Sequence, residues 1–198
     1  MFTITPATVR RGCAFAAAVA TGCLLAGCGT VRVGSSAATE ATTHAGLTMC
    51  QTPSLTVTVN TGQASALAGS TYYPVDFTNT SKTACGMSGF PGVSFVSADG
   101  SSGHQIGAAA QQNPAYSALA VRIPAGGTAH AWLQVAVASN YPASACKPVS
   151  AHWLRIIPPQ ATGAGYVSFS SGACASAGTP LLIIMPVRAG KAVQGTTP

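Results

Sequence analysis

An all-β chain, folded as an immunoglobulin-like antiparallel β-sandwich of about eight strands and stapled by two disulfides, is what three features predict. Apolar and polar residues alternate in short runs throughout the body of the chain. Turn residues interrupt those runs roughly every 8–12 positions. Four well-separated cysteines, Cys50, Cys85, Cys146 and Cys174, remain in that body. No stretch sustains the 3.6-residue period of an amphipathic helix.

The strands follow in chain order. In Leu55-Thr56-Val57-Thr58-Val59-Asn60 the apolar residues share one face with period two. Tyr73, Val75 and Phe77 repeat the pattern. Pro74 inside that run predicts an edge strand or a bulge, because proline has no N–H for the ladder. Val93-Ser94-Phe95-Val96 leads to Asp99-Gly100, a hairpin signal. Residues 101–117 are the least regular part and read as a long loop, a crossover between sheets that is also the loop best placed for binding. Leu119, Val121 and Ile123 alternate with Ala120 and Arg122 until Pro124, and Gly126-Gly127 supplies a turn. Ala129, Ala131, Leu133, Val135 and Val137 then alternate with His130, Trp132 and Gln134. Trp153, Arg155 and Ile157 alternate with Leu154 and Ile156 before Pro158-Pro159. Val167 and Phe169 face one way, and Leu181 to Val187 closes the body.

The start of the chain has a different grammar. Arg10-Arg11 precede an uncharged apolar region from Cys13 to Leu25, which ends in Leu25-Ala26-Gly27-Cys28. Charge followed by a short apolar run is the order of a secretory signal. The run falls short of the ~20 residues that span a bilayer. The closing tetrapeptide resembles a bacterial lipoprotein signal, in which the cysteine thiol takes fatty acid and becomes the first mature residue. Residues 1–27 are therefore expected to be a lipoprotein signal peptide, with Cys28 lipidated and the protein held on the extracytoplasmic face of the cell membrane. Two acyl chains make a firm anchor where one binds only marginally. Residues 28–48, rich in Ser, Thr, Ala and Gly, read as a flexible tether. Residues 49–190 are the expected sandwich domain, and residues 191–198 a disordered tail.

Charge excludes several functions. Charged residues make up 6 % of the chain, where ~25 % is usual for a soluble domain. Without the first 27 residues, seven basic and three acidic residues remain, and the cations form no stripe. Nucleic-acid binding wants such a stripe, so no nucleic-acid partner is expected.

An even number of cysteines in an exported chain reads as disulfides. Three pairings are possible, and the sequential one, Cys50–Cys85 with Cys146–Cys174, is favoured. It ties the segment before the first strand to the end of the next. Zinc would want close Cys-x-x-Cys pairs, and none is present.

Catalytic chemistry is poorly served. Only Asp76 and Asp99 are acidic within the body, and Asp99 precedes a turn glycine, where it caps its own backbone. Paired-carboxylate glycoside hydrolysis and a calcium or magnesium cage both need more acids. The histidines His104, His130 and His152 lack a Gly-x-Ser-x-Gly elbow to serve. Met49, Met87 and Met185 are scattered, which argues against copper, and Met185 reads as core. No catalytic, cofactor or metal residue is assigned. His130 is expected to point to solvent. Trp132 shares its face with His130 and Gln134; that face suits a sugar or peptide, or is covered by the other sheet, which is the expectation.

Four phrases carry a family likeness. These are Ser70-Thr71-Tyr72-Tyr73-Pro74-Val75-Asp76-Phe77-Thr78-Asn79-Thr80, Gly89-Phe90-Pro91-Gly92-Val93-Ser94-Phe95, Ala143-Ser144-Ala145-Cys146-Lys147-Pro148-Val149 and Leu154-Arg155-Ile156-Ile157-Pro158-Pro159. Together the chain from about Cys50 to Val187 resembles an uncharacterised domain of unknown function found in exported proteins and lipoproteins of high-GC Gram-positive (actinobacterial) species. The resemblance implies a β-sandwich and supports the disulfides, but brings no activity. The expected function is a lipid-anchored, non-catalytic binding or structural module for an envelope protein or glycan. The alternatives are a secreted hydrolase using Asp76 with a histidine, or a carrier of a small apolar ligand.

Overall fold

The computed structural model describes residues 46–193 and Thr196. The expected signal peptide, Cys28 and most of the tether lie outside the described residues.

Two main sheets face each other across the core. The larger holds β1 (Leu55–Val59), β2 (Ser65–Leu67), β3 (Ser70–Asn79), β7 (Gln111–Gln112), β9 (Thr128–Ala136), β12 (Leu182–Ile184) and β13 (Arg188–Ala189). Its order is β1-β3-β9-β12-β7, with β2 on β3 and β13 on β9. The smaller holds β5 (Gly92–Val96), β6 (Gln105–Ile106), β10 (Pro148–Ile157) and β11 (Gly165–Cys174), ordered β11-β10-β5-β6. A third pair joins β4 (Cys85–Ser88) to β8 (Ala120–Ile123). The sandwich is not wholly antiparallel: β7 runs parallel to β12.

Alternation explains the core. Val75 and Phe77 of β3, Ala129, Ala131, Leu133 and Val135 of β9, and Leu154 and Ile156 of β10 are buried in one cluster with Val93, Phe95 and Phe169. Tyr73 meets Phe169 edge-on at 4.9 Å between ring centroids. Each large apolar side chain so buried contributes about 1.5–3 kcal/mol.

Both sequential disulfides form, Cys50–Cys85 and Cys146–Cys174, closing separations of 35 and 28 residues. In the chain-entropy picture each stabilises by roughly 3.5–4 kcal/mol. Cys85 begins β4, so the first bridge fastens the leading segment to the β4–β8 pair and not to a neighbour of β1. The second joins the four-residue helix α1 (Ala143–Cys146) to the end of β11.

Pro74 departs from expectation, since it sits within β3, an interior strand. Its partner is Trp132. The carbonyl of Trp132 accepts from Met185 N, on the far side of β9, so the Trp132 backbone turns away from β3. Pro74 therefore presents its nitrogen to the opposite flank. There β1 ends at Val59, β2 pairs only Ser70–Tyr72, and Asn60 N donates to the Pro74 carbonyl at 2.9 Å. Proline is tolerated at this end of the ladder because residue 74 only has to accept.

The irregular stretch 101–117 crosses from one sheet to the other. Ile106 pairs with Phe95 in the small sheet, and Gln111 pairs with Ile183 in the large one. The β5–β6 turn needs its glycines. Gly100 has φ +67°, and a Cβ on Gly103 would lie 2.2 Å from the Ala98 carbonyl oxygen.

The C-terminal boundary also shifts. Residue 191 was expected to open a tail, yet Ala192 is buried beside Trp132 and Met185.

Candidate functional site

Register alone assembles an unusual row on the face of the large sheet that points away from the main core. Thr58 of β1 pairs with Asp76 of β3. Asp76 pairs with His130 of β9, and His130 pairs with Arg188 of β13. Residues directly opposed in neighbouring strands share a face. The row thus reads hydroxyl, carboxyl, imidazole, guanidinium across four strands. Odd-numbered β3 residues fill the core, so even-numbered Asp76 must leave through the other side.

Asp76 is 8 % exposed, and its Oδ1 has no hydrogen-bond partner. Burial pushes its carboxyl above the ordinary carboxylate range, while the charges of His130 and Lys191 pull the other way. The imidazole beside it is held by something else. His130 Nδ1 lies 2.8 Å from the Gly190 carbonyl oxygen. A carbonyl only accepts, so Nδ1 donates and the neutral ring keeps its lone pair on Nε2. His130 was expected to face solvent; it is half-buried, because the turn at Gly190 (φ +78°) brings the backbone over the ring.

Trp132 also departs from expectation. It is 6 % exposed, but its cover is not the other sheet. Met185 and Ala192 are buried with it, and Tyr72 and Tyr116 pack at the border. Met185, read as core, belongs to this satellite and not to the main core. The reason is parity: even-numbered β9 residues point outward, and the segment after β12 folds back over them. His130 meets the Trp132 ring edge-on, with centroids 6.4 Å apart.

A pocket of about 210 Å³ opens beside this cluster, lined by Tyr116, His130, Trp132, Met185, Pro186 and Arg188. Arg188 Nη1 donates to the Val187 carbonyl at 3.1 Å and Nη2 to the Ser117 carbonyl at 3.2 Å. A larger open cleft, about 470 Å³, lies between the sheets around Tyr73, Val137, Ser139, Pro148 and Ser171. No charged side chain lines it.

The other candidates stay dispersed. His104 is exposed in the β5–β6 turn. His152 Nδ1 lies 3.4 Å from Ser170 Oγ on an exposed face of the small sheet. Among the described residues, no hydrogen bond joins Asp76 to a histidine, and no group of three metal-ligating side chains converges. The four cysteines meet only as disulfides. Tyr116 comes from the 101–117 loop, the stretch read as best placed for binding, whereas Arg188 escapes sequence reasoning because it follows a closing apolar run and carries no local signal.

The sequence profile of a domain of unknown function (DUF4232) matches residues 50–187. The chain belongs to the DUF4232 family. The matched stretch begins at the first disulfide cysteine and ends at Val187, a buried member of the main core. Asp76, Tyr116, His130, Trp132 and Met185 fall inside the DUF4232 match, whereas Arg188, Lys191 and Ala192 lie just beyond it. No curated protein and no solved structure matches the chain.

Proposed function

We propose that this DUF4232 protein is an exported lipoprotein of an actinobacterial cell envelope. In this reading residues 1–27 are removed, Cys28 carries the lipid and residues 28–48 form the tether. The sandwich acts as a non-catalytic binding module for an envelope protein or glycan. Two disulfides in so short a body support an oxidising, extracytoplasmic setting. The Leu25-Ala26-Gly27-Cys28 tetrapeptide supports the anchor.

The observation that carries the binding reading is the outer face of the large sheet. It gathers Asp76, His130, Trp132 and Arg188, while His130 is aimed by a backbone carbonyl and not by the carboxylate. A base needs its orienting partner and a nucleophile within reach. This arrangement instead offers a fixed, half-covered recognition surface.

Two measurements test the proposal. Intact-mass analysis of native protein should give a chain starting at Cys28 with fatty acid attached, and Cys28→Ala should release it from the membrane fraction. An unlipidated mature chain would overturn the anchor. A photo-crosslinker at Gln134, on the outer face, should capture an envelope component in whole cells, whereas one at Ser168, on the small sheet, should not. Equal capture from both would remove the outer face as the binding surface.

A further inference from the structure

The pocket beside Trp132 holds a positive charge that the described fold leaves without a counter-ion. Arg188 spends two donors on neutral carbonyls, which aim the guanidinium without cancelling its charge. Three of its five N–H groups remain. Only two acids lie in the body. Asp99 is in the β5–β6 turn of the other sheet. Asp76 is two strands away across β9, about 10 Å at the usual strand spacing. The second polar group of the pocket is His130 Nε2, left open because Nδ1 is committed to Gly190. The remaining walls are apolar or aromatic: Trp132, Tyr116, Met185 and Pro186.

We infer that this pocket binds a carboxylate carried on an apolar group about the size of one ring. The inference rests on the outer face being the recognition surface and names its ligand. Arg188 supplies the fork for the carboxylate, a geometry guanidinium matches with two parallel hydrogen bonds. His130 Nε2, when the ring is protonated, donates to the same group. Trp132, Met185 and Pro186 receive the apolar part.

Size and charge select this class over the others. A cavity of about 150 Å³ takes a benzene, so about 210 Å³ takes one ring and its acid group. A glycan chain stacks on an open aromatic face, but Trp132 is only 6 % exposed. A cationic ligand would meet Arg188, with Lys191 on the same strap. The acid on this face, Asp76, is two strands from Arg188 and buried where its charged form is disfavoured. The shared chemistry has two sources, a free small acid or the C-terminal residue of a peptide.

The test uses the full mature chain and the Trp132 indole N–H resonance, with Trp153→Phe to secure its assignment. Phenylacetate represents the free acid, and N-acetyl-alanyl-phenylalanine a chain end; their carboxamides are the neutral isosteres. Expected is a saturable shift with at least one acid and about tenfold or greater weakening with its amide. Arg188→Gln should weaken the acid by a similar factor, and Arg188→Lys should restore part of it. Phenylacetate binding alone would assign a free acid, and peptide binding alone a chain terminus. Equal affinity for acid and amide, no shift with either acid, or full binding by a folded Arg188→Gln chain would overturn the ligand class. If capture from Gln134 persists in those cases, the recognition surface stands and only its ligand is wrong.

Discussion

Asp76 and Asn79 lie three residues apart on β3, differ little in shape, and are both buried, yet the fold treats them in opposite ways. Asn79 is fully buried at the core end of the strand. Its Nδ2 donates to the carbonyls of Thr83, Ile123 and Pro124 at 2.8, 3.2 and 3.2 Å. Its Oδ1 accepts from Ser81 N at 3.0 Å and from Ser81 Oγ at 2.7 Å. Asn79 thereby ties β3 to the turn after it and to the end of β8. Asp76 leaves Oδ1 without a partner on the opposite face. A satisfied buried polar group holds structure together, whereas an unsatisfied one costs stability. The same strand therefore carries a structural knot and a candidate recognition surface, separated by one reversal of side-chain direction.

Exchanging the two side-chain chemistries gives the sharpest test. Asn79→Asp sets an acceptor-only carboxylate against three carbonyls and should cost about 3–5 kcal/mol at neutral pH. Denaturant titration should also show part of that loss recovered in acid, where the new carboxyl is protonated and can donate once. A loss below about 1 kcal/mol would dissolve the contrast.

Next in size is the satellite core. Trp132→Ala should cost about 3 kcal/mol, although the residue lies outside the main core. Ala192→Asp, placing a charge where Trp132 and Met185 pack, should cost about 1–2 kcal/mol. Thermal melts compare the two. A neutral Ala192→Asp would mean that residues after β13 add nothing to the cover over Trp132.

The smallest effect, with opposite sign, belongs to Asp76→Asn. The folded-state carboxyl titrates above its ordinary value of 3.8, so the folded protein binds a proton more tightly than the unfolded chain. Its contribution to stability is fully present below that ordinary value and is lost as pH rises through the folded-state value. Asp76→Asn should therefore match the parent in acid and exceed it at neutral pH by at most about 1 kcal/mol. Denaturation midpoints of both proteins across that range check the sign. A variant less stable than the parent at neutral pH would show that the carboxylate has a stabilising partner.

Much of the fold was legible because strand patterning is local. Period-two alternation in 55–59, 73–77 and 129–135 named the core-facing residues without any knowledge of partners. Cysteine number and position led to the observed pairing. Pro74 misled because the rule against proline in interior strands assumes a full ladder on each side, and at Pro74 the β1 ladder has ended, with Asn60 N donating to a carbonyl and no N–H required in return. Trp132 was placed on the right face of its strand, but its cover was misjudged. That cover comes from residues about 50–60 positions later in the chain, in stretches read as core and as tail.

By itself, then, the amino-acid order determined that this is an all-β body stapled by paired cysteines and poor in acids. Backbone geometry makes those properties readable one strand at a time. Only the tertiary structure decided that Asp76, His130 and Arg188 stand in one row, and that Gly190 and not Asp76 holds the imidazole. The physical reason is register. Which residue faces which across a sheet depends on hydrogen bonding between strands more than 50 residues apart, and a slip of one position would turn the whole row into the core.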